Sequence, residues 1–178
     1  EVPLYFAPPD FAEKPSLKRS NAFPIVGEEC KSVRSGVGLL DITGFSRFEV
    51  SGPNAEAWLN KVMASKLPNP GRASLAPMLS EEGKLKGDLT IFNWGDGTWW
   101  IMGSYYLRAW HMRWFNDHLT DGVSILDLGE NWAGFSLSGP KSKEVISRIT
   151  DFPVDELKFM GCANMDIGLI KAKVGRLS

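Results

Sequence analysis

Apolar positions along this chain of 178 residues switch between a period near two and a period near 3.6, so strands and helices are interleaved. Residues 75–79 and 85–92 flank Ser80-Glu81-Glu82-Gly83 and predict a hairpin turning at Gly83. Its second strand opens on one acidic residue, Asp88, at the mouth of an otherwise apolar and β-branched run. Asn93-Trp94-Gly95-Asp96-Gly97 predicts a second hairpin turn, with 99–102 as the return strand. Further strands are predicted over 37–42, 45–50, 123–128, 133–137, 163–167 and 169–176. Helical spacing over 55–64 gathers Trp58, Leu59 and Val62 on one face, with Pro53 in the first turn. Ser104 predicts the N-cap of a long helix reaching about residue 119 and dense in aromatics. Shorter helices are expected over 28–35, after Pro140 to about 149, and over 153–160. Pro68-Asn69-Pro70-Gly71 marks a turn.

One segment recurs. Phe48-Glu49-Val50-Ser51-Gly52-Pro53 returns as Phe135-Ser136-Leu137-Ser138-Gly139-Pro140, each time as strand, Ser-Gly-Pro, helix. A unit used twice predicts a pseudo-symmetric α+β domain with antiparallel sheets; its rival is chance likeness of two strand-to-helix turns. Residues 1–27 hold Pro3, Pro8, Pro9, Pro15 and Pro24, the densest proline stretch of the chain. Proline fixes φ and removes a donor, so an extended N-terminal arm is expected there, pinned by Tyr5, Phe6, Phe11 and Phe23, with the folded domain over 28–178.

Composition narrows the function classes. At 43% hydrophobic and 23% charged residues the chain is globular rather than disordered. A net charge of −1 offers no electrostatic case for nucleic acid or an anionic membrane, and no apolar run approaches a membrane span. No secretory signal pattern opens the chain. Cys30 and Cys162 form no CxxC pair, which argues against zinc or dithiol chemistry and leaves two buried free thiols in a reducing cytoplasm as the expectation. Seven tryptophans suit a core, an interface or a flat heteroaromatic ligand.

Candidate chemistry is sparse. His111 and His118 are the only histidines. Two helical turns, roughly 10.5 Å, separate them, too far to share one metal ion, and both are read as lying on a partly exposed helix face. No serine sits in a G-x-S-x-G elbow, and neither GxGxxG nor GxxxxGK[ST] occurs. Asp88 remains. Either it is a structural strand-end carboxylate, solvated or bonded to the nearby turn, or it is a charge aimed at a ligand that carries or develops positive charge.

The order of Val37-Gly38-Leu39-Leu40-Asp41-Ile42-Thr43-Gly44-Phe45, then Phe48 to Pro53, then the Gly83 turn leading to Asp88, resembles the folate-binding domain of the glycine cleavage T-protein (aminomethyltransferase) family. The likeness spans 28–178. Leu4-Tyr5-Phe6, Arg19-Ser20-Asn21-Ala22-Phe23 and Glu29-Cys30-Lys31-Ser32-Val33-Arg34 resemble the start of the folate module of dimethylglycine and sarcosine dehydrogenases. The resemblance implies a T-protein-type fold built from two intertwined strand–helix units. It implies transfer of a one-carbon unit from a small amine donor to tetrahydrofolate. In the dehydrogenase branch it also implies a preceding flavin domain, which this chain does not carry.

The resemblance assigns roles as well. T-proteins often have an Asp-Asp pair before this strand; here the pair is Gly87-Asp88, and Asp88 matches the catalytic aspartate. Phe45 and Leu75 match positions lining the folate pocket. Trp100, Met102 and Ser104 match the return strand facing the pterin, with Ser104 replacing the usual asparagine. The family continues into a Thr-Gly-Glu-x-Gly-Tyr-Glu-like segment that bears a pterin-binding glutamate. That segment is absent here, so the chain is expected to be the N-terminal part of a folate module, with exposed apolar edges that would allow a homodimer. Two rivals stand beside this reading: a non-catalytic folate-binding protein of the same fold, and a folate-dependent demethylase of a sulfonium substrate.

Overall fold

The computed structural model describes residues 5–177; Glu1 to Leu4, with the Pro3 and Leu4 named above, and Ser178 lie outside the described residues. Among the described residues nine strands and four α-helices follow one another. They are α1 (Phe23–Ser35), β1 (Gly38–Asp41), β2 (Ser46–Ser51), α2 (Ala55–Val62), β3 (Arg72–Leu79), β4 (Leu85–Asn93), β5 (Trp99–Gly103), α3 (Arg108–Asp117), β6 (Ser124–Asp127), β7 (Phe135–Ser138), α4 (Ser142–Ser147), β8 (Gly161–Ile167) and β9 (Ile170–Arg176). β1 and β7 pair with each other, and the other seven form an antiparallel sheet in the order β6-β2-β5-β4-β3-β8-β9.

Alternation along the strands gives the large sheet two different faces. Phe48 and Val50 of β2, Ala76 and Met78 of β3, Leu89 and Ile91 of β4, and Ile101 of β5 point to one side. There α2 lays Trp58, Leu59 and Val62 over them, and α3 adds Phe115, edge-on to Phe48 at 5.2 Å and to Trp58 at 5.9 Å. The opposite face closes at one end around Phe92, Trp94, Trp100, Leu128 and Cys162, with Trp132 packed against them.

The repeated Ser-Gly-Pro segments occupy equivalent places, ending β2 before α2 and β7 before α4. Both glycines take φ values closed to most side chains, +110° at Gly52 and +117° at Gly139. The two strands lie in different sheets.

Several element boundaries differ from the sequence expectations. α1 begins at Phe23, inside the stretch read as an arm, because Pro24 falls in its first turn, where a missing N–H costs nothing. α2 begins at Ala55, so Pro53 precedes the helix. Ser104 leads into a 3-10 turn, Tyr105–Leu107, before α3, and its side chain makes no cap bond. The helix expected over 153–160 shrinks to a 3-10 turn, Val154–Glu156. Tyr5 packs edge-on to Phe11 at 5.9 Å, whereas Phe6 stands in solvent.

Candidate active site

Asp88 lies near the start of β4, and its parity sends the side chain to the face opposite α2 and α3. It is exposed, and among the described residues it has neither a side-chain hydrogen bond nor an ion pair. The nearby turn is closed by other groups: Ser80 Oγ donates to Glu82 at 2.7 Å, and the Ser80 amide donates to the Lys84 carbonyl at 2.8 Å. Of the two structural forms of Asp88, the one bonded to the turn is not made, and the solvated strand end remains.

Cross-strand register carries the neighbours of Asp88. Pro77 on β3 is opposite Asp88, Leu75 is opposite Thr90, and Thr90 is opposite Met102 of β5. Phe92 is opposite Trp100. Leu75, Met102 and Trp100 thus share the face of Asp88, in an order that runs from open to closed. Leu75 is 66% exposed, Met102 is half-buried, and Trp100 is 5% exposed. Pro77 is tolerated in β3 because its carbonyl accepts from the Ala64 amide at 2.8 Å, outside the β3–β4 ladder.

The closed end is an aromatic cluster. Trp100 packs edge-on to Trp132 at 4.7 Å and to Trp94 at 5.4 Å, and its indole N–H donates to Glu49 at 2.9 Å. Lys173 of β9 lies 4.6 Å over the Trp94 ring and pairs with Asp96 at 3.1 Å. Burial pushes the Asp96 carboxyl up, but bonds from Thr98 and the charge of Lys173 outweigh it and hold the group at about 2. Burial raises the Cys162 thiol to about 11, so it is an inert core group. Cys30, expected to be buried, is exposed on α1, whose sequence presents no buried face.

Phe45 and Ser104 lie at the end of the sheet where β2 begins and β5 stops. Phe45 is half-exposed and lines a cleft of about 330 Å³ with Tyr105, Arg108 and Gly129, a cleft that does not include Asp88. Ser104 accepts a bond from Ser46 Oγ at its backbone oxygen, 3.3 Å away, leaving its exposed hydroxyl outside that contact. The Phe45 loop is fixed by Arg47, only 3% exposed, whose guanidinium donates to the carbonyls of Ile42 (2.8 Å), Thr43 (3.0 Å) and Phe45 (3.1 Å). No local pattern announces this, because an arginine in a strand reads as a surface residue until the loop folds over it.

His111 corrects the sequence reading. It is 1% exposed rather than on a partly exposed face, packed beneath the sheet where Gly87 and Gly103 leave room for the ring. Burial lowers its pKa, so the ring is neutral near pH 7. The pair of glycines, at positions 87 and 103, is the one signal that could have placed it. His118 is half-buried and stacks on Trp114 at 4.3 Å. Among the described residues no group of three His, Cys, Asp or Glu side chains is placed to hold a metal ion. None of the described helices is long and apolar enough to cross a membrane.

An antiparallel α+β domain with one helix-covered face, and an opposite face that presents a bare carboxylate beside apolar side chains, defines the class. Within it, the chain belongs to the GCVT N-terminal domain family, whose model matches residues 1–178. Mouse mitochondrial dimethylglycine dehydrogenase is 26% identical over 185 residues, covering all of this chain and 21% of that protein. The aminomethyltransferase of Geobacillus kaustophilus is 28% identical over 157 residues, covering 86% of this chain and 43% of that protein. This chain therefore spans about a fifth to under half of these relatives. Among solved structures, aminomethyltransferase T of the Bartonella henselae glycine cleavage system superposes with a TM-score of 0.67 at 19% identity, over 77% of this chain and 38% of that one. A chain of the heterotetrameric sarcosine oxidase of Corynebacterium sp. U-96 superposes at 0.64 and 16% identity, over 92% of this chain and 83% of that one. The likeness supports the T-protein-type fold, and the named relatives are enzymes.

Proposed function

We propose that this chain is the N-terminal part of a tetrahydrofolate-dependent one-carbon transfer module, in which Asp88 is the catalytic residue. One observation carries the reading: among the described residues Asp88 is a carboxylate without a side-chain partner, and it shares with Leu75 and Met102 the face of the sheet opposite α2 and α3. Asp88 makes no bond to its turn, which leaves a solvated strand end or a charge facing a ligand, and the family likeness favours the second.

The residues present fit a flat heteroaromatic substrate. Leu75 and Met102 offer apolar surface, and the wall formed by Trp100 and Trp132 closes one end. Bound tetrahydrofolate would supply the nucleophilic nitrogen that accepts the carbon unit, the donor's amine would depart as that C–N bond forms, and positive charge would develop at the carbon in transit. A fixed negative charge with water partly excluded stabilises that charge, and the same carboxylate can hold a substrate N–H in place. Phe45 and Ser104 belong to the rim of this reading rather than to its centre, and Trp100 acts as a wall from within the core.

The dehydrogenase relatives suggest the donor class, an N-methyl amine oxidised by a flavin domain elsewhere in the protein, and the aminomethyltransferases suggest a donor carried by another component. Titration calorimetry with tetrahydrofolate, followed by turnover with an aminomethyl donor, tests the proposal in the intact protein. Asp88→Asn should retain the fold and reduce methylenetetrahydrofolate formation by about 10²-fold or more. Unchanged turnover in that variant rejects the catalytic role, and binding without any turnover in the wild type favours a folate-binding protein instead.

A further inference from the structure

The ladder between β3 and β4 contains one irregularity, and it lies two residues before the proposed catalytic residue. Pro77 pairs with Asp88 and Met78 with Gly87, but Leu79 pairs with Leu85. Lys86 is the extra residue, a β-bulge without a partner on β3. A bulge bends its strand and turns the following side chains, and such devices are found next to active sites for that reason.

α3 holds the bulged peptide from below. The indole N–H of Trp110 donates to the Lys86 carbonyl at 3.3 Å. The next residue, His111, is buried with neither ring nitrogen completing a hydrogen bond, and the Lys86 backbone is the polar group that faces it. Its ring sits so close under the strand that a β-carbon at Gly87 would lie 3.0 Å from Nε2. The Lys86 side chain is gripped as well, its ammonium lying 5.4 Å from the Trp110 ring and 5.3 Å from the Trp114 ring. An unsatisfied buried imidazole is costly, and core packing alone would be served better by a phenylalanine. Its place, one peptide away from Asp88 on the other side of the strand, points to what it does.

We propose that Trp110 and His111 are positioning residues for Asp88: together they fix the bulged Lys86 peptide against α3 and thereby set the direction of the carboxylate two residues on. The inference rests on the catalytic reading of Asp88. Neither residue touches the open face. Both act through the backbone of β4, with Gly87 as the link that lets the ring approach.

The test uses Trp110→Phe, which keeps a ring at a largely accessible site while removing the donor, and His111→Phe, which keeps the volume. Two readouts are taken in the intact protein: kcat and KM for tetrahydrofolate, and carbon-13 shifts of the Lys86 carbonyl and the Asp88 carboxylate. The expected result in each variant is a kcat lowered about tenfold, with KM within about twofold, and displaced Lys86 and Asp88 signals. A purely structural role would lower the melting temperature and leave the kcat of folded enzyme unchanged. Wild-type kcat in Trp110→Phe overturns the proposal, whether or not the shifts move and whether or not His111→Phe folds. Loss of turnover in Asp88→Asn alongside wild-type kcat in Trp110→Phe leaves the catalytic reading standing and removes only the positioning one. Full turnover in Asp88→Asn removes the reading on which both depend.

Discussion

Replacing Arg47 with methionine tests the account of how the site's rim is held. The guanidinium is buried and satisfies three carbonyls of the 42–45 loop at 2.8 to 3.1 Å. A hydrogen bond to a charged group contributes about 1.5–3 kcal/mol, but three bonds share one cation, and that cation is itself held out of water. Burial lowers the Arg47 pKa, the sign of that desolvation cost, while Asp41 offsets part of it. Methionine recovers the apolar stem, so the net loss should be about 2–4 kcal/mol. With a urea m-value of about 2 kcal/mol/M for a domain of this size, the unfolding midpoint falls by roughly 1–2 M.

Gly134 supplies an independent handle on the same contact. Its carbonyl accepts from the Ile42 amide at 2.8 Å, and its amide donates to Thr43 Oγ1 at 3.0 Å. A β-carbon there would fall inside contact distance of Arg47 Nη2. Gly134→Ala alone should therefore destabilise by pushing the guanidinium off its carbonyls. In the double variant with Arg47→Met the added methyl has room, so the two costs should not add. An Arg47→Met stability within about 0.5 kcal/mol of wild type, or full additivity in the double variant, would refute the reasoning.

The second handle on the fold is glycine geometry. Gly139→Ala meets both φ +117° and a β-carbon 2.5 Å from the Gly36 carbonyl oxygen, whereas Gly83→Ala meets φ +76° in open space. Gly139→Ala should thus cost several kcal/mol and Gly83→Ala only about 1, and equal midpoints in urea would contradict the steric argument. His111 gives a pH dependence. Burial depresses its folded pKa below the 6.5 of the unfolded chain, so as pH falls through 6.5 the unfolded state takes up the proton first. Stability should decline from about pH 7 downward and level off once the folded ring protonates; a melting temperature in His111→Phe with the same decline would show that another group is responsible.

The strands and their order of occurrence were legible because alternation is a local signal. Trp58, Leu59 and Val62 on α2 were legible for the same reason. The repeat was legible through Ser-Gly-Pro, where the glycines' positive φ restricts what the sequence can use. What the sequence hid depends on contacts between distant segments. His111 reads as lying on a partly exposed helix face until β4 and β5 bring Gly87 and Gly103 over it. Lys173 reads as a solvated strand residue until it lies over Trp94, and Arg47 until residues 42–45 wrap it. The bulge at Lys86 leaves no mark in an alternating pattern, since a single extra residue looks like a change of face.

Unequal closure of the two sheet faces explains why a carboxylate without a partner stands where it does. Along β4 the open face presents Phe92, then Thr90, then Asp88, passing from a buried aromatic to a bare charge over four residues, roughly 13 Å. At Phe92 a carboxylate would be taken from water among Trp94 and Trp100 and would need a cation or a proton. At Asp88 the side chain is exposed to water and needs no ion pair, while Leu75 and Met102 keep apolar surface within a strand's width. The gradient comes from packing: the aromatic cluster lies where β4 ends and β5 begins, and the start of β4 lies beyond it. A charge that is cheap to leave alone in water strengthens sharply when a ligand displaces that water, because the medium around it then changes and the carboxylate does not have to move.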